Sequence, residues 1–171
     1  PDKFKYININ MGCPAPKIVK NFSGSYLLND TEKCRRLIYA LKSSTDIPIS
    51  IKIRRGINGG NQGLKVAKIA EEEGASMVIV HGRTKEEYYS GLADWDFIEE
   101  VATSLNIPVI GNGDITDYDS FLERTKESKV SGVAIGRGAI GNPFIFKEIK
   151  SKINKEEYTP PTEKEKLETF L

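Results

Sequence analysis

The sequence predicts an α/β fold built on a parallel β-sheet. Short apolar runs typical of strands alternate along the chain with amphipathic runs typical of helices. Five strand–helix units follow one another at a spacing of roughly 30 residues, which is typical of parallel strands joined by helical crossovers. The chain has 171 residues, 39% of them apolar, so it is long enough for one sizeable hydrophobic core.

Several local signals mark the ends of the predicted helices. Gly74 fits the position just after the second helix, and Asp94 and Asp117 fit the N-caps of two later helices. Asn142 followed by Pro143 has the pattern of an N-cap with proline at the first helical position. The strands are predicted at residues 5–10, 47–54, 76–81, 107–112 and 132–136, and the helices at 31–43, 63–73, 95–104, 118–126 and from 142 to about 151.

Two architectures fit this alternation, a doubly wound open sheet and a (β/α)8 TIM barrel. No Gly-x-Gly-x-x-Gly motif follows the first strand, where an open dinucleotide-binding sheet carries it. Every predicted strand instead ends in polar or glycine-rich residues, as the mouth of a barrel requires. A whole barrel has eight units and about 250 residues, so we expect an incomplete barrel of five units from a larger protein. The strand-end residues are Asn10, Lys52, His81, Asn112 and Gly136.

The pattern changes near the end of the chain. Residues 1–151 are predicted to form the partial barrel, and residues 152–171 a linker and the start of a truncated C-terminal helical domain. The second segment is highly charged and contains Pro160-Pro161, which is typical of a linker. Thr162 is expected to cap a further helix that begins at Glu163.

Composition limits the classes of function. The chain has no run of 18 apolar residues and no signal-peptide pattern, so we expect a soluble, cytoplasmic protein without a membrane partner. A net charge of +1 neither requires nor excludes a nucleic-acid partner. The two cysteines do not suggest a disulfide framework, and Cys34, on an amphipathic helix, is interpreted as structural.

The other cysteine, Cys13, lies where the first strand is broken by glycine and proline. Ile7, Ile9 and Met11 alternate with polar residues, and Gly12 and two prolines then end the strand. The residue before a proline favours extended geometry, so Cys13 is expected in a stiff loop. This position, at the C-terminal end of a strand, is where barrels carry reactive groups. The alternative is an inert, buried cysteine in a tight turn.

Two more strand ends carry groups that could contact a ligand. Lys52 lies on the strand face opposite three isoleucines, and such a lysine either extends to solvent or holds an anion or an electron-rich ring. His81 is the only histidine of the chain. A structural role is the alternative for it, although its place at a strand end favours function.

Glycine-rich loops follow the fourth and fifth strands. The loop at 111–114 reads Gly-Asn-Gly-Asp, and the loop at 136–138 reads Gly-Arg-Gly. Their backbone N–H groups could hold a phosphate, and barrels bind phosphate after strands 7 and 8 next to a short extra helix. The alternative is two ordinary tight turns. No metal-ligand cluster is visible in the sequence.

Six segments together resemble the tRNA-dihydrouridine synthase family, specifically its bacterial B-type branch. The resemblance covers essentially the whole chain and implies an FMN-binding (β/α)8 barrel followed by a helical domain that helps hold tRNA. This chain would then supply barrel strands 4 to 8. The segments are NMGCPAPK at 10–17, KIR at 52–54, VHGRT at 80–84, SGLADW at 90–95, PVIGNGD at 108–114 and IGRGA at 135–139.

The resemblance implies reduction of uridines in tRNA to 5,6-dihydrouridine, with FMN as cofactor, NADPH or NADH as reductant and the tRNA D-loop as partner. The modified base would have to leave its stack. A thiol with the ordinary pKa near 8.5 is mostly protonated at pH 7 and can act as an acid. By resemblance, Cys13 is the general acid, Asn10 holds the uracil, Lys52 and His81 contact the flavin ring, and Arg83 lies near flavin or substrate. Asn112, Gly113, Gly136 and Arg137 would hold the FMN phosphate, and Asp114 is also expected to bind the cofactor.

Two other functions stay open. One is an FMN barrel that acts on a free pyrimidine, as dihydroorotate dehydrogenases do. The other is a non-catalytic RNA-binding or assembly fragment. Whichever applies to the parent protein, we expect the isolated chain to be inactive and to self-associate through its open sheet edges.

Overall fold

The computed structural model describes residues 4–170 and contains one five-stranded parallel sheet. The strands lie side by side in chain order, which confirms the predicted α/β fold of successive βα units. The strands are β1 Ile7–Met11, β2 Ile49–Arg54, β3 Met77–His81, β4 Val109–Asn112 and β5 Gly132–Ala134. The α-helices are α1 Pro16–Lys20, α2 Thr31–Ser44, α3 Gln62–Glu72, α4 Trp95–Ser104, α5 Tyr118–Thr125, α6 Ile145–Ile153 and α7 Glu163–Phe170.

The two faces of the sheet have different chemistry. On β2, Ile49, Ile51 and Ile53 are buried, and Ile51 and Ile53 belong to the apolar core that α2, α3 and α4 form with the sheet. The opposite face of β2 carries Ser50, Lys52 and Arg54, of which the first and last are also buried. Because side chains alternate across a strand, one face is an ordinary hydrophobic core and the other is a buried polar face. In barrels of parallel strands the helices cover the outer face of the sheet, so the face that carries Lys52 and Arg54 is the one that would turn inward.

The register of the sheet brings the strand ends to one edge. Asn10 of β1 pairs with Lys52 of β2, and Arg54 pairs with His81 of β3. His81 in turn pairs with Asn112 of β4. Since all the strands are parallel, their C-terminal ends meet at the same edge of the sheet, where open α/β and barrel folds bind ligands.

Local capping signals were largely correct. The side chains of Asp94 and Asp117 accept hydrogen bonds from the N–H groups of Phe97 and Ser120, at 2.8 and 2.7 Å. Gly74 has φ +83°, the left-handed geometry expected just past the end of a helix. These contacts form within a single turn of chain, so the sequence alone predicts them.

The start of α6 corrects the sequence prediction. The helix begins at Ile145 instead of near Pro143, and Asn142 is not its cap. The N–H of Ile145 donates to the carbonyl of Asn142 at 3.2 Å, which closes a separate tight turn before the helix. Helical bonding starts only with Phe144, whose carbonyl accepts from Glu148. Sequence analysis also missed α1 and the 3₁₀ helix Gly24–Asn29, and it began β1, β2, β3 and β4 one or two residues too early.

The chain forms two compact units. The first comprises residues up to Gly113 together with 127–134 and contains the whole sheet. The second comprises residues 114–126 and the chain from residue 135 onward, with α5, the 3₁₀ turn Arg137–Ala139, α6 and α7. The boundary predicted after residue 151 falls inside α6, so it does not separate these two units. Among residues 4–170, no helix is long and apolar enough to cross a membrane.

Candidate active site

Cys13 lies in the loop that follows β1, half-buried and without a disulfide partner. The side-chain oxygen of Asn10 accepts hydrogen bonds from the N–H groups of Gly12 and Cys13, at 3.1 and 3.0 Å. The carbonyl of Cys13 accepts from the N–H of Ser25 at 2.9 Å. The thiol is therefore carried by a loop whose backbone is fixed by its neighbours.

Gly24 explains how a second segment can pack so closely behind Cys13. Its φ is +60°, and a Cβ there would lie 2.6 Å from the carbonyl oxygen of Cys13. Any larger residue would therefore displace the cysteine loop as well as strain its own backbone. The glycine allows the segment leading into the 3₁₀ helix to support the thiol.

Lys52 and Asn112 form a polar pair across the ends of β2 and β4. The Lys52 ammonium donates to the Asn112 side-chain oxygen at 3.0 Å. Asn112 also donates through its Nδ2 atom to the carbonyl of Ala134 at 2.7 Å. Burial, helped by the nearby positive charge of Arg54, lowers the pKa of Lys52 to about 8. The lysine is thus a partly desolvated cation ready to pair with electron-rich atoms.

His81 and Arg83 are both buried at the end of β3. An Arg83 Nη1 atom lies 3.4 Å from His81 Nε2, within reach of a hydrogen bond in the histidine tautomer that leaves Nε2 without a proton. Arg83 also donates to the carbonyls of Ser90 and Gly91, at 3.0 and 2.6 Å. Its guanidinium therefore holds the loop after β3 in shape, a structural role in addition to the ligand contact predicted for it.

Arg54 is a residue of this site that sequence analysis left without a role. Its side chain is only 3% exposed, and it donates to the carbonyls of Gly12, Thr84 and Tyr88. A signal was present, because Arg54 continues the polar face of Ser50 and Lys52 on an otherwise apolar strand. Its carbonyl partners come from distant loops, and the pattern could not show them.

Gly113 ends the first unit in a conformation that only glycine adopts easily, with φ +141°. A Cβ at this position would collide with the side chain of Ala93. Its carbonyl accepts a hydrogen bond from the indole N–H of Trp95 at 3.1 Å. This glycine is thus required by packing within the chain, whether or not a phosphate binds there.

Gly136 and Arg137 belong to the second unit. Unlike Gly113, Gly136 is not required by packing within the described part of the chain. A Cβ added to Gly136 meets no described atom within 4 Å, whereas one on Gly138 would collide with the backbone of Ile115. Arg137 donates to the carboxylate of Asp114 at 3.1 Å, and its side chain is 49% exposed. Of the residues predicted to hold phosphate, Asn112 and Gly113 therefore lie in the first unit and Asp114, Gly136 and Arg137 in the second.

Cys34 is clearly distinct from Cys13. It is completely buried in the core, and its thiol donates to the carbonyl of Leu27 at 3.1 Å. Burial, helped by the negative charge of Asp30, raises its pKa to about 11, which makes it a poor nucleophile at neutral pH. Within the described part of the chain, no group of three or more metal-ligating side chains is present.

Adjacent parallel strands in chain order, with polar residues gathered at their C-terminal edge, define a protein of the (β/α)-barrel class. Solved structures agree with this class. N-acetylneuraminate lyase from Mycoplasma synoviae matches with a TM-score of 0.59 at 19% identity, covering 91% of this chain and 61% of the other. A prophage protein of the dihydrodipicolinic acid synthase family from E. coli K12 matches with a TM-score of 0.56 at 10% identity, covering 90% and 60%. At such identities the likeness concerns the fold alone.

The chain belongs to the dihydrouridine synthase family, whose model matches residues 1–171. A probable tRNA-dihydrouridine synthase of Rickettsia conorii is 40% identical over 96% of this chain and 50% of its own length. The tRNA-dihydrouridine synthase B of Pseudomonas putida is also 40% identical, over 96% of this chain and 49% of its own length. The chain thus spans about half the length of the curated relatives it matches.

Proposed function

We propose that this chain is part of an enzyme that reduces uridines of tRNA to 5,6-dihydrouridine. Membership of the dihydrouridine synthase family supports the reaction, and the names of the similar proteins support tRNA as the substrate. The observation that carries the proposal is the thiol of Cys13, presented half-buried on a rigid loop at the C-terminal edge of the sheet.

Reduction of a uracil C5–C6 bond adds a hydride to one carbon and a proton to the other. Cys13 is proposed to give the proton from its thiol, and the resulting thiolate takes a proton from water afterwards. Asn10 is proposed to hold the uracil. Its side-chain oxygen already accepts from Gly12 and Cys13, so its NH₂ group is the part that would donate to a uracil carbonyl.

The residues present fit an FMN cofactor, which would supply the hydride when bound. The open space beside Gly136 and the half-exposed side chain of Arg137, both in the second unit, suit a phosphate group. Lys52, His81 and Arg83 are proposed to lie against the flavin ring. The side-chain oxygen and nitrogen of Asn112 already make hydrogen bonds to Lys52 and to the Ala134 carbonyl. Asn112 would therefore affect the flavin ring indirectly, by holding Lys52 in place.

The proposed macromolecular partner is tRNA, bound through its D-loop, with NADPH or NADH as the reductant. The target base must leave its stack, and exposed tyrosines beside the site would offer stacking surfaces for single-stranded nucleotides. Tyr88 and Tyr89 are exposed in the loop after β3, and Lys17 and Lys20 lie on α1 next to the cysteine loop. Such an enzyme would work in the cytoplasm, where it meets its tRNA.

The C-terminal segment is proposed to lead into the helical domain of the family. The structure has α7 over Glu163–Phe170, and the Thr162 hydroxyl accepts a hydrogen bond from the N–H of Glu165 at 3.2 Å. This capping supports the expectation that a new helix starts at Glu163. The assignment of residues 152–171 to a linker and a tRNA-holding domain rests on the family.

The test uses the full-length enzyme that carries this chain, with Cys13→Ala and Cys13→Ser. We expect both variants to bind FMN like the unchanged enzyme, and the oxidation of reduced flavin by unmodified tRNA to slow by at least about a hundredfold, the typical value of a general acid. Rapid-mixing absorbance spectroscopy measures that rate. Flavin oxidation at the unchanged rate in Cys13→Ala would remove Cys13 from the mechanism.

The same assay separates the remaining alternatives. Free orotate and free uracil replace tRNA as oxidants of the reduced flavin. Faster oxidation by either pyrimidine than by tRNA would contradict the proposal in favour of an enzyme of free pyrimidines. Binding of tRNA without any flavin oxidation would favour a non-catalytic RNA-binding role.

A further inference from the structure

The backbone of the Gly12–Cys13 segment is paired at every polar atom. Both N–H groups donate to the Asn10 side chain, and the Cys13 carbonyl accepts from Ser25. The remaining atom, the carbonyl of Gly12, accepts from the Nε of Arg54 at 3.0 Å. Three of these four hydrogen bonds use the side chain of Asn10, three residues or fewer away, or the backbone N–H of Ser25. The fourth uses a buried charged side chain on the next strand.

Arg54 uses its other nitrogens to hold a different loop. Its Nη1 atom donates to the carbonyls of Thr84 and Tyr88, at 2.8 and 3.0 Å. The Tyr88 hydroxyl makes a second contact between the same two loops, 3.4 Å from the carbonyl of Pro14. The guanidinium also lies 5.9 Å from the ring centre of Tyr89. A single buried cation thus joins the cysteine loop to the loop after β3.

We propose that Arg54 is a positioning residue, which fixes the Cys13 thiol for proton transfer by bonding the Gly12 carbonyl and tying it to the loop at 84–88. The part that concerns proton transfer rests on the function proposed above. Arg54 acts through the backbone of its neighbour. The Gly12 carbonyl, the Cys13 N–H and the Cys13 Cα lie in one peptide plane. Holding the carbonyl therefore also sets the direction of the N–H and the position of the Cα that carries the thiol side chain.

The chemistry of arginine suits this task better than that of lysine. The planar guanidinium presents donors on opposite edges, so Nε can serve one loop while Nη1 serves the other. A lysine has one nitrogen at the end of a flexible stem and could reach only one of the two loops. Burial lowers the pKa of Arg54, but an arginine stays charged at neutral pH, and hydrogen bonds from a charged donor are among the stronger ones in proteins.

The next residue provides a matched control. Arg55 is also largely buried, at 19% side-chain exposure, and pairs with Glu87 and Asp94 at 3.2 Å each. It contacts the same β3 loop region without bonding the Gly12 carbonyl. Replacing it removes a neighbouring, less buried arginine and leaves the proposed link intact.

The structural test is hydrogen exchange at the Gly12 and Cys13 amides of the full-length enzyme that carries this chain, measured by mass spectrometry with fragmentation to single residues. In Arg54→Lys and Arg54→Gln we expect exchange at least about tenfold faster, because a charge-assisted bond that opposes opening of the loop is lost. In Arg55→Gln these two amides should exchange at the unchanged rate. Unchanged amide exchange in folded Arg54→Lys would overturn the proposal. If Arg54→Gln does not fold, the result for Arg54→Lys alone is the test.

The kinetic test uses the full-length enzyme. We expect Arg54→Lys to slow single-turnover oxidation of reduced flavin by tRNA roughly tenfold, the same factor as the loop opening, while the affinities for FMN and tRNA stay the same. A loss confined to those affinities would overturn the positioning role. If amide exchange is faster in Arg54→Lys but neither the unchanged enzyme nor the variant reduces tRNA, the proposed function is contradicted. The role of Arg54 in positioning the loop would then still be supported.

Discussion

At the scale of single residues, Lys52 shows how the polar face of the sheet differs from an ordinary surface. Its ammonium is surrounded by protein on a face that also carries Arg54, and burial is the first cause of its lowered pKa. The Asn112 oxygen at 3.0 Å is a neutral partner and cannot offset the lost hydration of a charge. The folded chain therefore keeps a cation at a cost in stability, which is typical of a group retained for binding.

This cost predicts a pH dependence for Lys52→Met. The pKa of Lys52 is lowered to about 8, so between pH 8 and 10.5 the unfolded chain binds more protons than the folded chain, and stability rises with pH. The unchanged protein should gain up to about 3 kcal/mol relative to Lys52→Met across that window, since each pKa unit is worth about 1.4 kcal/mol. Urea unfolding measures the free energy of unfolding of both proteins. The titration of Cys34 affects both equally and cancels in the difference. A constant difference from pH 7 to 10.5 would show that Lys52 is not desolvated.

Two glycines at neighbouring strand ends give a second prediction at the residue scale. Gly113→Ala should destabilise the chain by about 1–3 kcal/mol, because the new methyl group overlaps Ala93 in a left-handed backbone conformation. Gly136→Ala has open space and should change stability by less than about 1 kcal/mol. In the full-length enzyme, Gly136→Ala should nevertheless weaken FMN binding, as measured by flavin fluorescence. Unchanged flavin affinity in both Gly136→Ala and Arg137→Ala would contradict the proposed phosphate site.

At the scale of elements, α5 depends on a capping box at its N-terminus. Asp117 accepts from the N–H of Ser120 at 2.7 Å, and the Ser120 hydroxyl accepts from the N–H of Asp117 at 3.1 Å. Hydrogen bonds from Ser120 lower the pKa of Asp117 below its usual value. The helix carries no buried residue, so it depends on its cap more than a core helix does.

Asp117→Ala should therefore cost about 1 kcal/mol of unfolding free energy at pH 7. Asp119→Ala is the control, because it removes a carboxylate from the same first turn without removing the cap, and it should cost only a few tenths of a kcal/mol. The lowered pKa of Asp117 means that its contribution is present above the ordinary aspartate pKa and disappears as the pH falls. Urea unfolding at pH 7 and pH 3 checks this, and equal losses for the two variants at pH 7 would contradict it.

At the scale of the whole molecule, the described sheet ends in two edge strands. Among residues 4–170, β1 pairs only with β2 and β5 only with β4. Strand edges expose unpaired N–H and C=O groups that bind other strands readily. The face that carries Ser50, Lys52 and Arg54 would meet further strands across the interior of a closed barrel.

We therefore predict that the chain studied alone self-associates, binds FMN weakly and does not reduce tRNA. Light scattering at several protein concentrations measures the association, and a flavin absorbance scan of the purified chain measures retained cofactor. A monomer that carries stoichiometric FMN and reduces tRNA would contradict the prediction. Joining the chain to the rest of a full-length enzyme is the control, and it should restore both flavin binding and the monomeric state.

Sequence patterns were sufficient to predict the parallel α/β fold and most helix boundaries. These features depend on contacts within one turn or one strand, such as the caps at Asp94 and Asp117 and the alternation along β1 and β2. The sequence patterns also indicated the strand ends as the place for reactive groups, since parallel strands bring their C-terminal ends to one edge. The start of α6 was predicted wrongly. The local proline pattern placed it near Pro143, whereas the structure forms a separate turn there before the helix begins.

The contacts of each polar side chain at that edge depend on the tertiary packing. The partners of Arg54 lie 30, 34 and 42 residues away in the chain, and Asn112 lies 60 residues from Lys52. A hydrogen bond depends on tenths of an ångström and on direction, whereas sequence patterns fix only which face of a strand a residue occupies. The sequence therefore predicted that Cys13 and Lys52 lie at one edge of the sheet, and the packing of the loops determined that Arg54 holds the cysteine loop in place.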